Sequence, residues 1–503
     1  MYRSRHKEDL DKRILNFLSS IDIDDKILYY DILCTKVHVI MLYNIHILDK
    51  DDVARLIREL DSVLRYPEKL AKEGYEDIHE ALETHLIRKI GINVGGKVQT
   101  GRSRNDQIVT DIRIKARDDT INVIVHLINL IKVLIAKSED NLDSIMPLYT
   151  HLQQAQIGNF AHYLLSYSDG LIREIDRMFS LYDRLNQSPL GAGPIGGSLL
   201  PLDRNMTAKL LGFDNIISNS IDATSSRDFM VELVSIMSSI MITLSRISED
   251  FIIWSSQEFG FIEISDRHAS TSSAMPQKRN PDPLEITRSK TAIVIGNLTT
   301  ILTILKSLPS GYSRDLQDTK IPFWNSVELV VSSLDIMNDI IQYLIVKKDV
   351  MRRASNESYA ISLDIAEVLV TRYKVPFRTA HKLVGALVNL SISNNDEIPF
   401  RSLSGSEIKD ILSKVKADIT VDKLLKTIRE IDSKRSIRVR HSEGSPNPKE
   451  QTIIIRKRKL LLHRYSNDVQ KKKESIDLVN ENIQDTIKHI VTHSNLNSNK
   501  HER

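Results

Sequence analysis

Residues 270–285 read Ser-Thr-Ser-Ser-Ala-Met-Pro-Gln-Lys-Arg-Asn-Pro-Asp-Pro-Leu-Glu, a polar stretch between two apolar segments at about 229–257 and 284–308. It begins with small residues and places a lysine, an arginine and an asparagine (278–280) between prolines, which resist helix formation. The flanking segments have helical periodicity. A polar loop held by rigid helices often carries catalytic groups, although a surface linker would have a similar composition.

The composition favours an all-α protein. Of the 503 residues, 41% are hydrophobic and 27% are charged, whereas glycine (18) and proline (14) are sparse. The net charge of +3 gives no support for a nucleic-acid partner. The single cysteine, Cys34, fits a reducing compartment. The N-terminal residues show no apolar signal core, and no uncharged apolar run has the length of a membrane span. We therefore expect a cytoplasmic protein without membrane association.

The hydrophobic pattern divides the chain into four parts. We expect short helices in an N-terminal domain (1–104), long helices in a central bundle domain (105–354) and shorter helices in a C-terminal domain (355–456). The long helices are expected at about 106–139, 152–186, 228–257, 284–308 and 325–348. Several of them are apolar around most of their circumference, so we expect other subunits to complete the bundle. The lysine- and arginine-rich residues 457–503 are expected to form a partly disordered basic extension.

A second polar stretch, Thr-Gly-Arg-Ser-Arg-Asn-Asp-Gln at 100–107, precedes the first long helix. Ser103, Asn105 and Asp106 are all good helix caps, so capping beside solvated arginines explains the stretch. Backbone N–H groups at a helix start, helped by arginines, also suit a carboxylate or phosphate. Both interpretations remain open from these residues alone.

If these two stretches and Tyr149–Gln153 meet in space, they bring together His151, Glu285, Lys278 and several serines. No metal-ligand spacing and no cofactor motif accompanies them. Such a set suits β-elimination next to a carboxylate, because cations and N–H groups stabilise the charge left by proton removal. A separate general acid then protonates the leaving group. The sequence pattern does not show whether the three stretches meet.

Residues 272–281 resemble the signature loop of the aspartase/fumarase superfamily, which usually reads Gly-Ser-Ser-x-Met-Pro-x-Lys-x-Asn-Pro. Within that superfamily the chain most resembles the argininosuccinate lyase family, from about residue 14 to about residue 450. The stretches that carry this resemblance are Glu76–His79, Thr100–Gln107, Tyr149–Gln156, Asp222–Phe229 and Tyr312–Lys320. Adenylosuccinate lyase and fumarase share the loop, but we do not expect them to share Thr100–Gln107 or Asp222–Phe229.

The resemblance implies three helical domains whose central helices form a twenty-helix core in a homotetramer, with each active site shared by three subunits. It implies the reversible cleavage of argininosuccinate into arginine and fumarate without a metal or other cofactor. Two alternatives remain. One is a sister lyase similar to adenylosuccinate lyase, and the other is an inert structural relative of the kind reused as a lens crystallin.

The resemblance also implies residue roles. Ser272 matches the catalytic base, whose alkoxide needs nearby N–H groups and cations such as Lys278. His151 matches a histidine that is paired with a glutamate, here Glu285, and that assists protonation of the departing guanidino group. Lys278 and Asn280 match residues that hold the carboxylate on which charge accumulates.

The other matched positions bind substrate: Ser20, Arg104, Asn105, Thr150, Tyr312, Gln317 and Lys320. Of these, Tyr312, Gln317 and Lys320 match residues that hold the arginine end and its carboxylate. The sequence departs from the family pattern at Thr271, where glycine is usual, and at Asp25, where we expect arginine. The first departure predicts a less flexible loop, and the second changes the charge near the expected site.

Overall fold

The computed structural model describes residues 10–492, so the charged N-terminal start and the polar C-terminal end lie outside the described residues. The predicted all-α class is confirmed, because nearly all the regular structure is helical. The helices of the N-terminal part are α1 (Lys12–Leu18), α2 (Ile21–Asp24), α3 (Leu28–Asn44), α4 (Lys50–Arg65), α5 (Ile78–Ile90) and α6 (Ile92–Gly95). They are short because polar turns and glycines, such as Gly91 at φ +83°, end them.

Five long helices form the central bundle: α7 (Arg104–Glu139), α8 (Phe160–Leu185), α11 (Asp228–Ser255), α12 (Asp282–Leu305) and α13 (Lys320–Tyr343). Two short helices lie between α8 and α11, namely α9 (Arg204–Leu210) and α10 (Ser220–Ser225). Helix α11 packs against α8, α12 and α13, and α7 packs against α8 and α13. The predicted positions of α7, α11, α12 and α13 are confirmed to within a few residues. A capping box between Ser103 and Asp106 begins α7.

The prediction of one helix over 152–186 is wrong at its start. Strands β1 (Ile145–Thr150) and β2 (Gln153–Asn159) form an antiparallel hairpin, and α8 begins only at Phe160. The side chain of Asn159 accepts a hydrogen bond from the His162 N–H and thereby caps α8. Three two-residue pairings complete the strands: β3 (Gln187–Ser188) with β4 (Asn215–Ile216), β5 (Ile262–Glu263) with β8 (Ile345–Val346), and β6 (Ser270–Thr271) with β7 (Arg279–Asn280).

The C-terminal helices are α14 (Lys348–Asn356), α15 (Ser362–Tyr373), α16 (Phe377–Ser393), α17 (Gly405–Val415), α18 (Val421–Glu430), α19 (Ser433–Arg438) and α20 (Pro448–Thr492). Helices α15–α19 enclose a hydrophobic core of their own, which also includes Ile145 and Ile157 of the hairpin. The N-terminal helices, the bundle and α20 share a second, larger core. Short 3₁₀ turns occur at Pro67–Lys69, Arg314–Thr319 and Tyr359–Ile361.

The prediction of a separate, partly disordered extension from residue 457 is wrong for residues 457–492. These residues continue α20, a 45-residue helix that packs along α7 and contacts α3, α4, α8 and α9. Its basic residues face outward, whereas an apolar stripe is buried: Ile455, Leu462, Tyr465, Val469, Val479, Ile483, Ile487 and Ile490. The Tyr465 hydroxyl donates a hydrogen bond to Asp176. The Val479 side chain lies so close to Gly212 that a Cβ added to this glycine would be 2.7 Å from it. The charge runs therefore cover the outer face of a packed helix.

Two of the long helices, α7 and α11, are long and apolar enough to span a membrane by length and composition. Most of the apolar window of each is buried inside the protein, as expected for core helices. This is weak support for a span. Outward-facing apolar side chains remain on the bundle, including Ile242, Ile293, Ile295, Leu302 and Ile336.

Two leucines of α20 give a matched test of its packing. Leu462 is 3% exposed and Leu460 is 67% exposed. We predict that Leu462→Ala lowers the free energy of unfolding by about 2–5 kcal/mol, because it leaves a cavity in the shared core. Leu460→Ala is expected to change it by less than about 0.5 kcal/mol. Urea unfolding measures both, and equal effects would show that α20 is not packed as described.

Candidate active site

A cavity of about 160 Å³ lies where the N-terminal helices meet the starts of α7 and α13. Six predicted substrate-binding residues line it: Ser20, Arg104, Asn105, Tyr312, Gln317 and Lys320. Each lies at or beside a helix end. Ser20 is the N-cap of α2, Arg104 begins α7, and Lys320 begins α13 after the 3₁₀ turn that holds Gln317. Convergence of these ends explains why residues 300 positions apart share one cavity.

A buried ion pair forms part of the cavity wall. Lys320 is 2% exposed, and its Nζ donates to Asp24 Oδ1 at 2.5 Å and to Ser20 Oγ at 3.1 Å. Ser20 Oγ in turn donates to Asp24 Oδ2 at 2.8 Å. All three side chains are buried, so the lysine charge is balanced by the carboxylate inside the protein.

Two arginines of the cavity are also held by acids. Arg104 Nη1 donates to Asp77 Oδ2 at 2.8 Å, and Arg314 Nη1 donates to Glu76 Oε2 at 2.9 Å. The Asn105 amide donates to the Pro194 carbonyl at 2.9 Å, which joins the start of α7 to the glycine-rich loop. These bonds fix the side chains around the opening before any ligand binds.

The stretch at 100–107 is a helix cap in this chain. The Ser103 N–H donates to the Asp106 carboxylate at 2.9 Å, and the N–H groups of Gly191 and Gly193 donate to it at 3.0 and 2.9 Å. Burial raises the pKa of Asp106 to about 6, although these N–H groups and Arg102 act in the opposite direction. Gly193 has φ +65°, and a Cβ there would meet the Gly197 carbonyl oxygen at 2.7 Å, so the loop requires glycine at this position.

A buried triad lies behind the cavity. His79 lines the cavity, and its Nδ1 is 3.2 Å from Asp31 Oδ2 and 3.8 Å from Asp111 Oδ2. Burial alone would lower the pKa of His79, but Asp31 raises it. Burial alone would raise the pKa of Asp31, but His79, Arg102 and a hydrogen bond from Gln107 lower it. Burial and the Asp31 charge raise the pKa of Asp111 well above its ordinary value.

These three side chains place potential metal ligands within 4.8 Å of one another. Asp31 and His79 are paired with each other, and burial raises the pKa of Asp111 beside the pair. The sequence-based expectation that no metal takes part stays a prediction.

The signature loop forms a small hairpin on the surface. Residues 270–271 pair with 279–280, so Thr271 lies in an extended strand, where glycine is not required. Ser272 Oγ accepts the backbone N–H groups of Ala274 at 3.3 Å and Met275 at 3.1 Å. Arg279 Nη1 donates a hydrogen bond to Glu263 Oε1 at 2.7 Å, which anchors the base of the loop. Two N–H groups aimed at one oxygen favour negative charge on that oxygen.

His151 lies at the tip of the β1–β2 hairpin. His151 and Leu152 have φ +56° and +58°, which is the backbone of a two-residue primed turn, and both side chains are exposed. A positive φ is rare for leucine, so the flanking strands must hold this turn in place. Thr150 precedes it and is exposed as well.

The predicted residues do not all come together within the single chain, and their meeting in a site shared by subunits stays a prediction. Among residues 10–492, none of Thr150, His151, Ser272, Lys278, Asn280 and Glu285 lines the cavity. Within the same range, His151 and Glu285 share no hydrogen bond or ion pair, because they occupy a hairpin tip and the first turn of α12. Within one chain, the residues predicted for the site therefore lie in three separate places: the cavity, the signature loop with the start of α12, and the β1–β2 hairpin.

The sequence-based set omits five ionisable residues of the cavity: Asp24, Asp77, His79, Arg227 and Arg314. Four of them lie within the stretches that carry the family resemblance, so the resemblance could have identified them. The fifth, Asp24, follows Ser20 by one helical turn. Asp25 is not among the cavity residues and pairs with Lys72 at 2.5 Å, so the departure at this position adds no charge to the cavity wall.

Comparison with known proteins first gives the class. A family model described as Lyase matches residues 34–296, and one described as Argininosuccinate lyase C-terminal matches residues 359–428. The fold is similar to that of EDDS lyase in complex with formate, which is 27% identical with a TM-score of 0.85 over 95% of each chain. A class II fumarase from Schistosoma mansoni, 16% identical with a TM-score of 0.66 over 80% of this chain and 94% of that chain, shows the fold alone. These matches define a helical lyase of the aspartase/fumarase superfamily.

Full-length relatives give the particular family. An argininosuccinate lyase of Nitrosopumilus maritimus is 44% identical over 492 residues, which cover 98% of this chain and 100% of that protein. An argininosuccinate lyase of Methanothrix thermoacetophila is 36% identical over 496 residues, covering 98% and 99%. The chain belongs to the argininosuccinate lyase family, and the resemblance drawn from its motifs is confirmed.

The buried His79 gives a prediction with a defined sign. The ordinary pKa of histidine is about 6.5, and Asp31 raises that of His79 in the folded state. The pair therefore stabilises fully below about pH 6.5 and loses this contribution as pH rises through the raised value. We predict that His79→Gln lowers the free energy of unfolding by about 3 kcal/mol at pH 6, with a smaller loss at alkaline pH.

His38 is the matched control. It is also buried, but burial and then Arg102 lower its pKa to about 3, so it is neutral in the folded protein. The effect of His38→Gln is therefore expected to shrink as pH falls below about 6.5, opposite to that of His79→Gln. Urea unfolding at several pH values measures both. A His79→Gln effect that grows with pH would contradict the ion pair.

Proposed function

We propose that the protein catalyses the reversible β-elimination of argininosuccinate to arginine and fumarate, as a carbon–nitrogen (amidine) lyase of arginine biosynthesis. The observation that carries this proposal is the cavity, in which six residues expected to bind substrate come together beside two acids, Asp24 and Asp77. A pocket with charges of both signs suits an amino-acid substrate. We further propose that the enzyme works in the cytoplasm, which agrees with its single buried cysteine.

We infer that the active form is a homotetramer with sites shared between subunits. The separation of the cavity, the signature loop and the His151 hairpin within one chain supports this inference. Exposed isoleucines and leucines on α11, α12 and α13 also support it, because apolar helix faces in a bundle need a cover. In this arrangement a neighbouring subunit supplies the loop and another supplies the hairpin.

In the proposed mechanism, Ser272 as an alkoxide removes the proton from the carbon beside a succinate carboxylate. The electron pair moves into that carboxylate, whose added charge Lys278 and Asn280 stabilise. The C–N bond then breaks, its carbon becomes part of the double bond of fumarate, and protonated His151 gives its proton to the departing guanidino nitrogen. Glu285 is the acid that the family resemblance pairs with that histidine. No cofactor enters these steps.

The alternatives predict different behaviour. A sister lyase similar to adenylosuccinate lyase would not need a cavity for an amino-acid end, and the full-length relatives do not favour it. An inert structural relative would not need the two N–H groups that Ser272 Oγ accepts.

Ser272 and its neighbour Ser273 give a matched pair of variants. Ser272→Ala is expected to lower kcat by at least about 10³-fold, because it removes the base. Ser273→Ala is expected to keep most of the activity. Fumarate absorbance measures turnover, and sedimentation checks that both variants keep the wild-type assembly. Near-normal turnover of Ser272→Ala would remove this residue as the base.

Mixed tetramers test whether sites are shared. Ser272→Ala damages the loop, and Lys320→Gln damages the cavity while still being able to hydrogen-bond Ser20 and Asp24. We predict that each variant alone is nearly inactive but that refolding them together restores activity to about a quarter of the sites, as expected for random symmetric assembly. Hybrids that contain both subunits by mass spectrometry yet show no activity would place loop and cavity of one site in the same chain.

A further inference from the structure

The signature loop is joined to the rest of its chain at its base. Residues 272–278 form the turn of the loop, and within the described range 10–492 their hydrogen bonds run inside the loop itself. Arg279 follows this turn and pairs across the hairpin with Thr271, the residue before Ser272. The position of the turn is therefore set by the groups that hold Arg279.

Three acceptors surround the Arg279 guanidinium. Its Nη1 donates to Glu263 Oε1 at 2.7 Å, and its Nη2 donates to the Ile264 carbonyl at 2.6 Å. The same Nη2 is 2.7 Å from Asp266 Oδ1. Because the guanidinium is a rigid planar fork, bonds at both Nη atoms fix its orientation as well as its position.

Glu263 is itself held firmly. It lies in β5 between Ile262 and Ile264, which are both buried. Strand β5 pairs with β8, and Lys347, the residue after β8, has its Nζ 2.5 Å from Glu263 Oε2. Hydrogen bonds from Lys347, and then from Arg279, lower the pKa of Glu263, so its carboxylate is ionised at neutral pH. One carboxylate thus joins two cations, and we call Lys347, Glu263 and Arg279 the loop bridge.

The two acids beside Arg279 differ in their surroundings. The side chain of Asp266 is 93% exposed, whereas that of Glu263 is 34% exposed and also binds Lys347. An ion pair with a fully hydrated partner contributes little, because water screens it. Glu263 is therefore the acid that fixes Arg279, and Asp266 provides a control at the same guanidinium.

The loop bridge lies next to residues that have a task in the proposed mechanism. Lys278 precedes Arg279 and Asn280 follows it. Successive side chains of an extended strand point to opposite faces, so the contact of Arg279 with Glu263 turns the Asn280 side chain the other way. On the paired strand, the same contact fixes the start of the turn at Ser272.

We propose that the loop bridge positions Ser272 and Lys278 for proton removal. Glu263 and Arg279 are then positioning residues, which act through the loop and do not contact the substrate. This inference rests on the proposed function and adds two residues to it. A displacement of about 1 Å at a catalytic group is enough to lower turnover about 10²-fold. Loss of the loop bridge therefore affects the chemical step and leaves the cavity intact.

Removal of the Glu263 charge tests this inference. In the full-length protein, Glu263→Gln is expected to lower kcat about 10- to 100-fold, measured by fumarate absorbance. Calorimetric titration is expected to show unchanged binding of arginine, and sedimentation unchanged assembly. Backbone hydrogen exchange of residues 272–278 should become faster. Asp266→Asn is the matched control, and its kcat is expected to stay within about 2-fold of the wild type.

Arg279 gives a second, independent set of variants. Arg279→Met breaks the same loop bridge from the other side, so the double variant with Glu263→Gln should have no lower kcat than the less active single variant. Arg279→Lys is expected to recover part of the kcat lost in Arg279→Met, because lysine keeps the charge but not the planar fork. A loss caused by general disturbance would instead be additive.

Wild-type kcat in both Glu263→Gln and Arg279→Met overturns the inference, and so does an equal loss of kcat in Asp266→Asn. Loss of arginine binding together with kcat overturns it as well. If Glu263→Gln does not fold, as judged by circular dichroism, Arg279→Met at a side chain that is 38% exposed gives the same comparison.

A wild type that releases no fumarate from argininosuccinate overturns the proposed function instead. Hydrogen exchange of residues 272–278 then decides on the loop bridge by itself, because unchanged exchange in Glu263→Gln shows that the bridge does not position the loop.

Discussion

The buried ion pair between Lys320 and Asp24 joins residues that are 296 positions apart in the sequence. It connects the first residue of α13 with the N-terminal helices, and Ser20 completes its hydrogen bonding. Breaking such a pair would strand a charge in the protein interior. The cavity exists because this pair, together with the Arg314 and Gln317 bonds to the Leu18 carbonyl, holds the N-terminal segment against the bundle.

The other residues that we propose for catalysis lie outside this cavity. The His151 turn and the signature loop are both short hairpins at the surface, and neither lines the cavity of its own chain. Rigid helices fix where each hairpin begins, and local hydrogen bonds, such as those to Ser272 Oγ, fix its shape. In the proposed homotetramer activity would depend on assembly, because neighbouring chains would supply the parts that one cavity lacks.

Much of this could be predicted from the sequence. Long apolar periodicity located the bundle helices, and motif resemblance identified the residues that gather around Lys320. The start of α8 could not be located in this way, because leucine, glutamine and alanine at 152–156 favour helix locally, whereas pairing with β1 makes them a strand. The buried apolar stripe of α20 was not predicted, because lysine and arginine dominate the local composition of this segment.

Buried charge was the least predictable feature. Whether Arg227 meets an acid depends on tertiary contacts that local sequence does not encode, and the same holds for the His79–Asp31 pair.

A single assay tests the proposed activity directly. Purified full-length protein is incubated separately with argininosuccinate and with adenylosuccinate, and fumarate is followed by its ultraviolet absorbance. We expect fumarate and arginine in equal amounts from argininosuccinate and no fumarate from adenylosuccinate. Fumarate from adenylosuccinate alone, or from neither compound, would contradict the assignment.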